Sequence, residues 1–109
     1  MRRREEGQPA GDGLAPDPEG FERRLSQYLE WLRVNHFSEH TATERERRLR
    51  HFMAWCGERG LLRPAEVTRP ILERYQAALF RARRQKDDRP LSLTTQRNHL
   101  TSVKGFFRW

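Results

Sequence analysis

The closing stretch LSLTTQRNHLTSVKGFFRW, residues 91–109, decides the fold. Ser92 reads as a helix N-cap, since its hydroxyl can accept an N–H bond that the first turn cannot satisfy internally. Leu93, Leu100, Val103, Phe106 and Phe107 then recur at helical spacing and form the expected buried set. Thr94, Thr95, Asn98, His99 and Ser102 fall mostly on other faces of that helix. The pattern is still running at Trp109, which reads as a truncation or a domain cut.

Working back, three more helices carry the same signals. Ser38 opens one, with Thr41 three residues on and Glu39 and Glu44 favouring the early turns electrostatically. Its apolar set is Ala42, Leu49, Phe52, Met53 and Cys56, and its opposite face carries Arg47, Arg48 and His51. Gly57 or Gly60 ends it. Thr68 and Pro70 start another, with Ile71, Leu72, Tyr75 and Leu79 inward and Arg81, Arg83 and Arg84 at its carbonyl end. The first helix is expected to begin at Asp17-Pro18-Glu19, with Asp17 as cap, and its stripe is Phe21, Leu25, Tyr28, Leu29 and Leu32. Phe37 is expected to fold back onto the core. No strand pattern appears, so the fold class is all-α.

Residues 1–17 read as a disordered tail. Glycines and prolines crowd it, and Leu14 is its only large apolar residue after Met1, too little to offset the entropy of ordering. Residues 18–109 read as one folded domain, the size that a chain of 109 residues allows. Glu5, Glu6 and Gly7 stand where a signal peptide needs an apolar run, and no apolar run is long enough to span a membrane. The expectation is a cytoplasmic protein. One cysteine, Cys56, excludes an internal disulfide and a cysteine-based zinc site.

The net charge is +7. The tail is slightly acidic, so the positive charge lies in the body and is concentrated in residues 60–109. Such charge speaks to a polyanionic partner, with solubility as the plainer alternative. Catalysis finds no support. His36 and His40 are four apart, but a helix start falls between them and no acidic partner is placed. Tyr28, Tyr75 and Cys56 lie on apolar faces, there is no glycine-rich phosphate loop, and no cofactor or small-molecule ligand is expected. Two helices open alike, Ser38-x-x-Thr41 and Ser92-x-x-Thr95. Helix N-termini offer unpaired N–H groups and a positive dipole end, both suited to phosphate. Ordinary capping explains either start alone; the pair beside a basic second half says more.

The ordered line Phe21…Tyr28-Leu29…Ser38-x-x-Thr41…Leu49-x-x-Phe52-x-x-Trp55…Gly60…Thr68…Ile71-x-x-x-Tyr75…Leu79…Leu91-Ser92-x-x-Thr95…Leu100-x-x-Val103-x-x-Phe106-Phe107-x-Trp109 resembles the N-terminal core-binding domain of tyrosine recombinases, the phage-integrase family. The resemblance covers residues 19–109. It departs at Arg45, where the family usually has an aromatic residue. It implies a four-helix SAM-like fold of two crossed helical hairpins. It also implies that the second and fourth helices meet duplex DNA, as one half of a clamp whose other half is catalytic. The catalytic half would carry a His-x-x-Arg motif. The four histidines here are followed at the third position by Glu39, Thr43, Ala54 and Ser102, so the family's reaction does not carry over.

The reading is therefore a DNA-binding, non-catalytic clamp domain. Arg47, Arg48, Arg97 and Lys104 are the expected phosphate contacts. Thr41, Thr43, Thr94, Thr95 and Asn98 are expected to approach the groove, with Ser38 and Ser92 at the helix starts. The alternative is a helical protein-interaction module that binds recombinase subunits, with an apolar patch exposed near Phe106, Phe107 and Trp109.

Overall fold

The computed structural model describes residues 17–109, so the expected tail, Asp17 apart, lies outside the described residues. Four α-helices follow one another: α1 (Phe21–Val34), α2 (Glu39–Gly57), α3 (Arg69–Arg81) and α4 (Leu93–Arg108), with a short 3₁₀ turn at Pro64–Glu66 before α3. Helix α1 packs on α2, α3 packs on α4, and α2 packs on α4 to join the two pairs. The chain is all-α, as the periodicity predicts.

Helices α1, α2 and α3 bury residues from the stripes their spacing predicts, and α4 does so in part. Phe21, Leu25, Tyr28, Leu29 and Leu32 of α1 meet Ala42, Leu49, Phe52 and Cys56 of α2, with Tyr75 and Leu79 from α3 and Val103 and Phe106 from α4. Phe52 is the hub. Its ring lies edge-on to Phe21, Tyr75 and Phe107, with centroids 6.0, 4.8 and 6.0 Å away, so one side chain touches the three other helices. Edge-to-face geometry sets the positive ring edge against a neighbour's negative face.

The helix ends show why the boundaries fall where they do. At α1, Phe37 N–H donates to Leu32 O (3.0 Å) and His36 N–H to Arg33 O (3.1 Å). This paired arrangement needs a left-handed residue, and His36 takes it at φ 67°. At α2, Leu61 N–H donates to Cys56 O (3.0 Å), Gly60 N–H donates to Gly57 O (3.1 Å), and Gly60 supplies φ 75°. The glycine expected to stop this helix does so through its backbone freedom.

Two expectations are corrected. Helix α1 begins at Phe21 with Gly20 as N-cap, not at Asp17. The Asp17 carboxylate accepts from Glu19 N–H (3.0 Å) and the Asp17 carbonyl from Gly20 N–H (3.1 Å), making a turn in place of a helical start. Thr68 is the N-cap of α3, as expected, although its side chain makes no cap bond. On α4, Leu93 is 70% exposed, while His99 and Ser102 are buried. The buried stripe of α4 is 99, 102, 103 and 106, displaced from the expected one because α2 covers the flank that carries the two polar residues.

Arg45 replaces an aromatic by stacking. Its guanidinium sits 5.0 Å from the Phe37 ring centroid and donates to the Tyr28 hydroxyl (3.0 Å). The patch expected at Phe106, Phe107 and Trp109 is mostly closed. Phe106 is buried, Phe107 half-buried, and Trp109 packs against Tyr28 and Phe106 with centroids 5.4 and 6.1 Å away, leaving it 43% exposed.

Candidate nucleic-acid interface

Both Ser-x-x-Thr starts are true caps with one geometry. Thr41 N–H donates to Ser38 Oγ (3.1 Å), and the Ser38 hydroxyl donates to Thr41 Oγ1 (3.0 Å). Ser92 and Thr95 repeat both bonds at 3.1 and 3.0 Å. Each serine is thereby occupied in capping, and each threonine Oγ1 serves as an acceptor while its own proton stays available to donate. Thr43, Thr94 and Asn98 are exposed, as are Arg47, Arg97 and Lys104.

The two starts do not converge. Arg45, near the beginning of α2, shares a hollow with Gly105, Arg108 and Trp109 at the end of α4. Further along, His51 of α2 meets His99 of α4 with ring centroids 4.9 Å apart. Helix α4 thus runs against α2 where they touch. Its own start adjoins the end of α3 through the Arg83–Pro90 pairing. What the packing does bring together is the middle of α2 and the first half of α4: Arg47, Arg48 and His51 beside His99. Asn98 neighbours His99 in sequence, and Thr95 sits one turn before it on the same flank. Arg97 and Lys104, seven residues apart, share a different, outward face of α4 and do not join that group.

The ion pairs divide the basic residues in two. On α1 and α2, Arg24, Arg33 and Arg50 are held by Glu19, Glu39, and Glu22 with Glu46. Glu44 holds both Arg47 (2.9 Å) and Arg48 (3.4 Å). Those bonds, the one to Arg47 first, keep the Glu44 carboxyl below its ordinary range. Among the described residues, Arg23 and Arg45 are the cations of α1 and α2 with no carboxylate within ion-pair distance, whereas most cations of α3, α4 and the loop between them lack one, Arg69 and Arg84 being the exceptions. The unpaired positive charge is therefore concentrated on α3, α4 and that loop.

Glu44 competes with any anion for Arg47 and Arg48. Glu44→Gln should raise affinity for a duplex by about three- to tenfold at low salt, and the gain should shrink as salt screens the pair. Fluorescence anisotropy with a labelled duplex checks this; unchanged or weaker affinity would place the two arginines away from the DNA.

Two residues of the face were not among those expected from sequence. His51 is a partly exposed ring whose Nδ1 lies 2.8 Å from the Tyr75 hydroxyl. His99 is 7% exposed, and its Nδ1 has no hydrogen-bond partner. Burial, followed by the charge of Arg47, lowers the His51 pKa from the usual 6.5. Burial, then His51, Arg47 and Arg48, lowers that of His99 to about 4. The available signal was the four-residue step from Arg47 to His51, which puts both on one side of α2. Cys56 is buried and its thiol is pushed up to about 11, the environment of an inert packing residue. Among the described residues no group of three or more His, Cys, Asp and Glu could hold a metal, and no helix is long and apolar enough to cross a membrane.

Residues 25–109 match the family model of the phage integrase N-terminal SAM-like domain, and the chain belongs to that family. The match is to the N-terminal core-binding region of tyrosine recombinases and not to their catalytic domain. Among characterised proteins, it is similar to a tyrosine recombinase XerC 2 of Ralstonia nicotianae, 40% identical over 87 residues. That alignment covers 80% of this chain but a quarter of the relative, so the chain spans only part of the relative's length. No solved structure matches.

Proposed function

We propose that this chain is a DNA-binding clamp domain of a tyrosine site-specific recombinase, gripping duplex DNA without chemistry of its own. The observation that carries the reading is the distribution of charge. Most cations of α3, α4 and their connecting loop stand unpaired, Arg69 and Arg84 excepted, in a chain whose family match is to a recombinase core-binding domain. Phosphate oxygens are the ligands such a surface selects, since they are anionic, evenly spaced and displayed along both strands. Arg47 and Arg48 on the α2–α4 face would bind phosphates and set orientation, and Arg97 and Lys104, on the outward face of α4, would add phosphate contacts only where the duplex reaches that face. Asn98 and Thr94, exposed on α4, would approach base edges, with Thr41, Thr43 and Thr95 as shorter donors near the backbone. Capping by Ser38 and Ser92 holds the two helix starts rigid, so these two would act mainly by fixing their threonines. The partners are duplex DNA and, in an assembled recombinase, other subunits, all within the cytoplasm.

Affinity for a duplex should fall by about 0.9 log unit per log unit of salt for each phosphate neutralised. Trimming residues 1–16 should leave it unchanged or slightly stronger, since that segment adds no net positive charge. Binding that ignores salt, or that disappears with residues 1–16, would overturn the reading.

A further inference from the structure

His51 and His99 stand where α2, α3 and α4 meet, and neither has a place in the reading above. His51 is reachable from solvent on the side of α2 that carries Arg47 and Arg48. Its ring is anchored from behind by Tyr75 of α3, whose hydroxyl lies 2.8 Å from Nδ1. Tyr75 is fully buried, so this bond fixes the ring and leaves Nε2 as the other polar atom. The same hydroxyl serves both charge states, donating to Nδ1 of the neutral ring or accepting from Nδ1–H of the imidazolium. His99 of α4 lies 4.9 Å away, centroid to centroid, with an orphaned Nδ1.

We propose that this pair makes the α2–α4 face a proton-linked phosphate site, at which binding of duplex DNA takes up one proton at His51. The inference rests on the reading that this face meets DNA.

The groups around the pair fix the sign. From α2 the facing charges are Arg47 and Arg48, with Glu44 bound to both. From α3 the facing group is the Tyr75 hydroxyl, held neutral by burial, which raises its pKa. From α4 it is His99. The charges that act on the two rings are therefore cationic, and they oppose protonation in the free protein together with burial. A phosphate drawn to Arg47 and Arg48 cancels that opposition and adds attraction of its own, which favours the imidazolium. Two imidazolium rings at this separation would repel, so the pair gains a single proton, and the exposed ring takes it.

Affinity for DNA should therefore rise as pH falls, with a slope no steeper than one log unit per pH unit. The test uses the full chain and a labelled duplex of arbitrary sequence, at low and constant ionic strength, between about pH 8 and about pH 5.5. Binding should tighten about three- to tenfold across that range, a tenfold gain corresponding to a rise of one unit in the His51 pKa. His51→Gln should flatten the profile. His36→Gln/His40→Gln, which removes the exposed histidines outside the pair, should keep it. In the unaltered protein, the His51 ring proton followed by NMR should titrate at higher pH with saturating duplex than without it. Duplex binding with an unmoved or lowered His51 titration would overturn this inference and leave the DNA-binding reading standing. So would a pH slope that vanishes in His36→Gln/His40→Gln and persists in His51→Gln. Absence of duplex binding at every pH would overturn both.

Discussion

Replacing Phe52 by alanine should cost about 3–5 kcal/mol, the range for removing a buried aromatic ring. Phe52 is 0% exposed and supplies contact between α2 and each of the other helices through Phe21, Tyr75 and Phe107. Two costs add: the lost transfer free energy of the ring, and a cavity that four helices can only partly collapse into. A domain of this size is stable by about 5–15 kcal/mol in total, so the loss is a large share. Phe52→Leu keeps part of the volume and should cost less. Phe80→Ala is the contrast. Phe80 is 69% exposed on the last turns of α3, and its removal should stay within about 0.5 kcal/mol. Urea unfolding followed by circular dichroism measures all three. Equal losses for Phe52→Ala and Phe80→Ala would refute the packing described.

The second large effect is acid sensitivity through His99. Its folded pKa is about 4 against 6.5 for an unperturbed histidine, chiefly because burial disfavours the charged ring. The unfolded chain therefore binds more protons than the folded one between about pH 6.5 and about pH 4. Stability contributed by neutral His99 is fully present above that window and is lost as pH falls through it. The full shift is worth up to about 3 kcal/mol, on the order of a 10–20 °C change in Tm. Asp17, Glu44 and Asp87 have lowered pKa values through exposed arginine pairs and lose stability at more acidic pH, as they protonate. The expected result is a thermal midpoint that drops from neutral to about pH 4.5, with a smaller drop in His99→Leu. Parallel curves for the two proteins would mean that His99 is not held neutral by burial.

Much of this architecture is legible in the residues because its signals are local. Ser38 with Thr41, and Ser92 with Thr95, declare two helix starts through bonds spanning three residues. Gly60 declares a helix end through a backbone angle that other residues rarely take. The failures are cases in which a distant partner decides. Asp17 has the chemistry of a cap, yet Arg63 grips its carboxylate at 2.7 and 3.2 Å from 46 residues away and holds it in a turn. Leu93 continues the apolar period of α4, but it lies at the rim of a hollow shared with Phe80, Pro90 and Leu91 by the end of α3 and stays mostly exposed. His99 and Ser102 read as outward because they are polar, although their spacing from Val103 and Phe106 is that of the buried stripe. The His51–Tyr75 bond joins α2 to α3 across 24 residues, and no local pattern announces it. Of the candidate DNA face, the sequence singles out Arg47 and Arg48 but neither His51 nor His99, and no local pattern shows which residues fall together. Arg47 and Arg48 come together with α4, while Arg97 and Lys104 point elsewhere and the two helix starts lie apart.

The central claim is that duplex DNA meets the α2–α4 face and is not merely attracted by net charge. Two double variants test it directly, Arg47→Ala/Arg48→Ala on α2 and Arg23→Ala/Arg24→Ala on α1. Each removes two positive charges; the first strips both arginines from Glu44, the second only Arg24 from Glu19, Arg23 having no carboxylate within ion-pair distance among the described residues. Net charge therefore changes equally, and the α1 pair gives up at least as much unpaired positive charge. With both variants shown to be folded, duplex affinity at one fixed low salt concentration is the measurement. The α2 pair should lose about tenfold or more, on all sequences alike, with a shallower salt slope, while the α1 pair loses about threefold or less. Equal losses from the two pairs would contradict the account and leave the positive charge as a diffuse attractor.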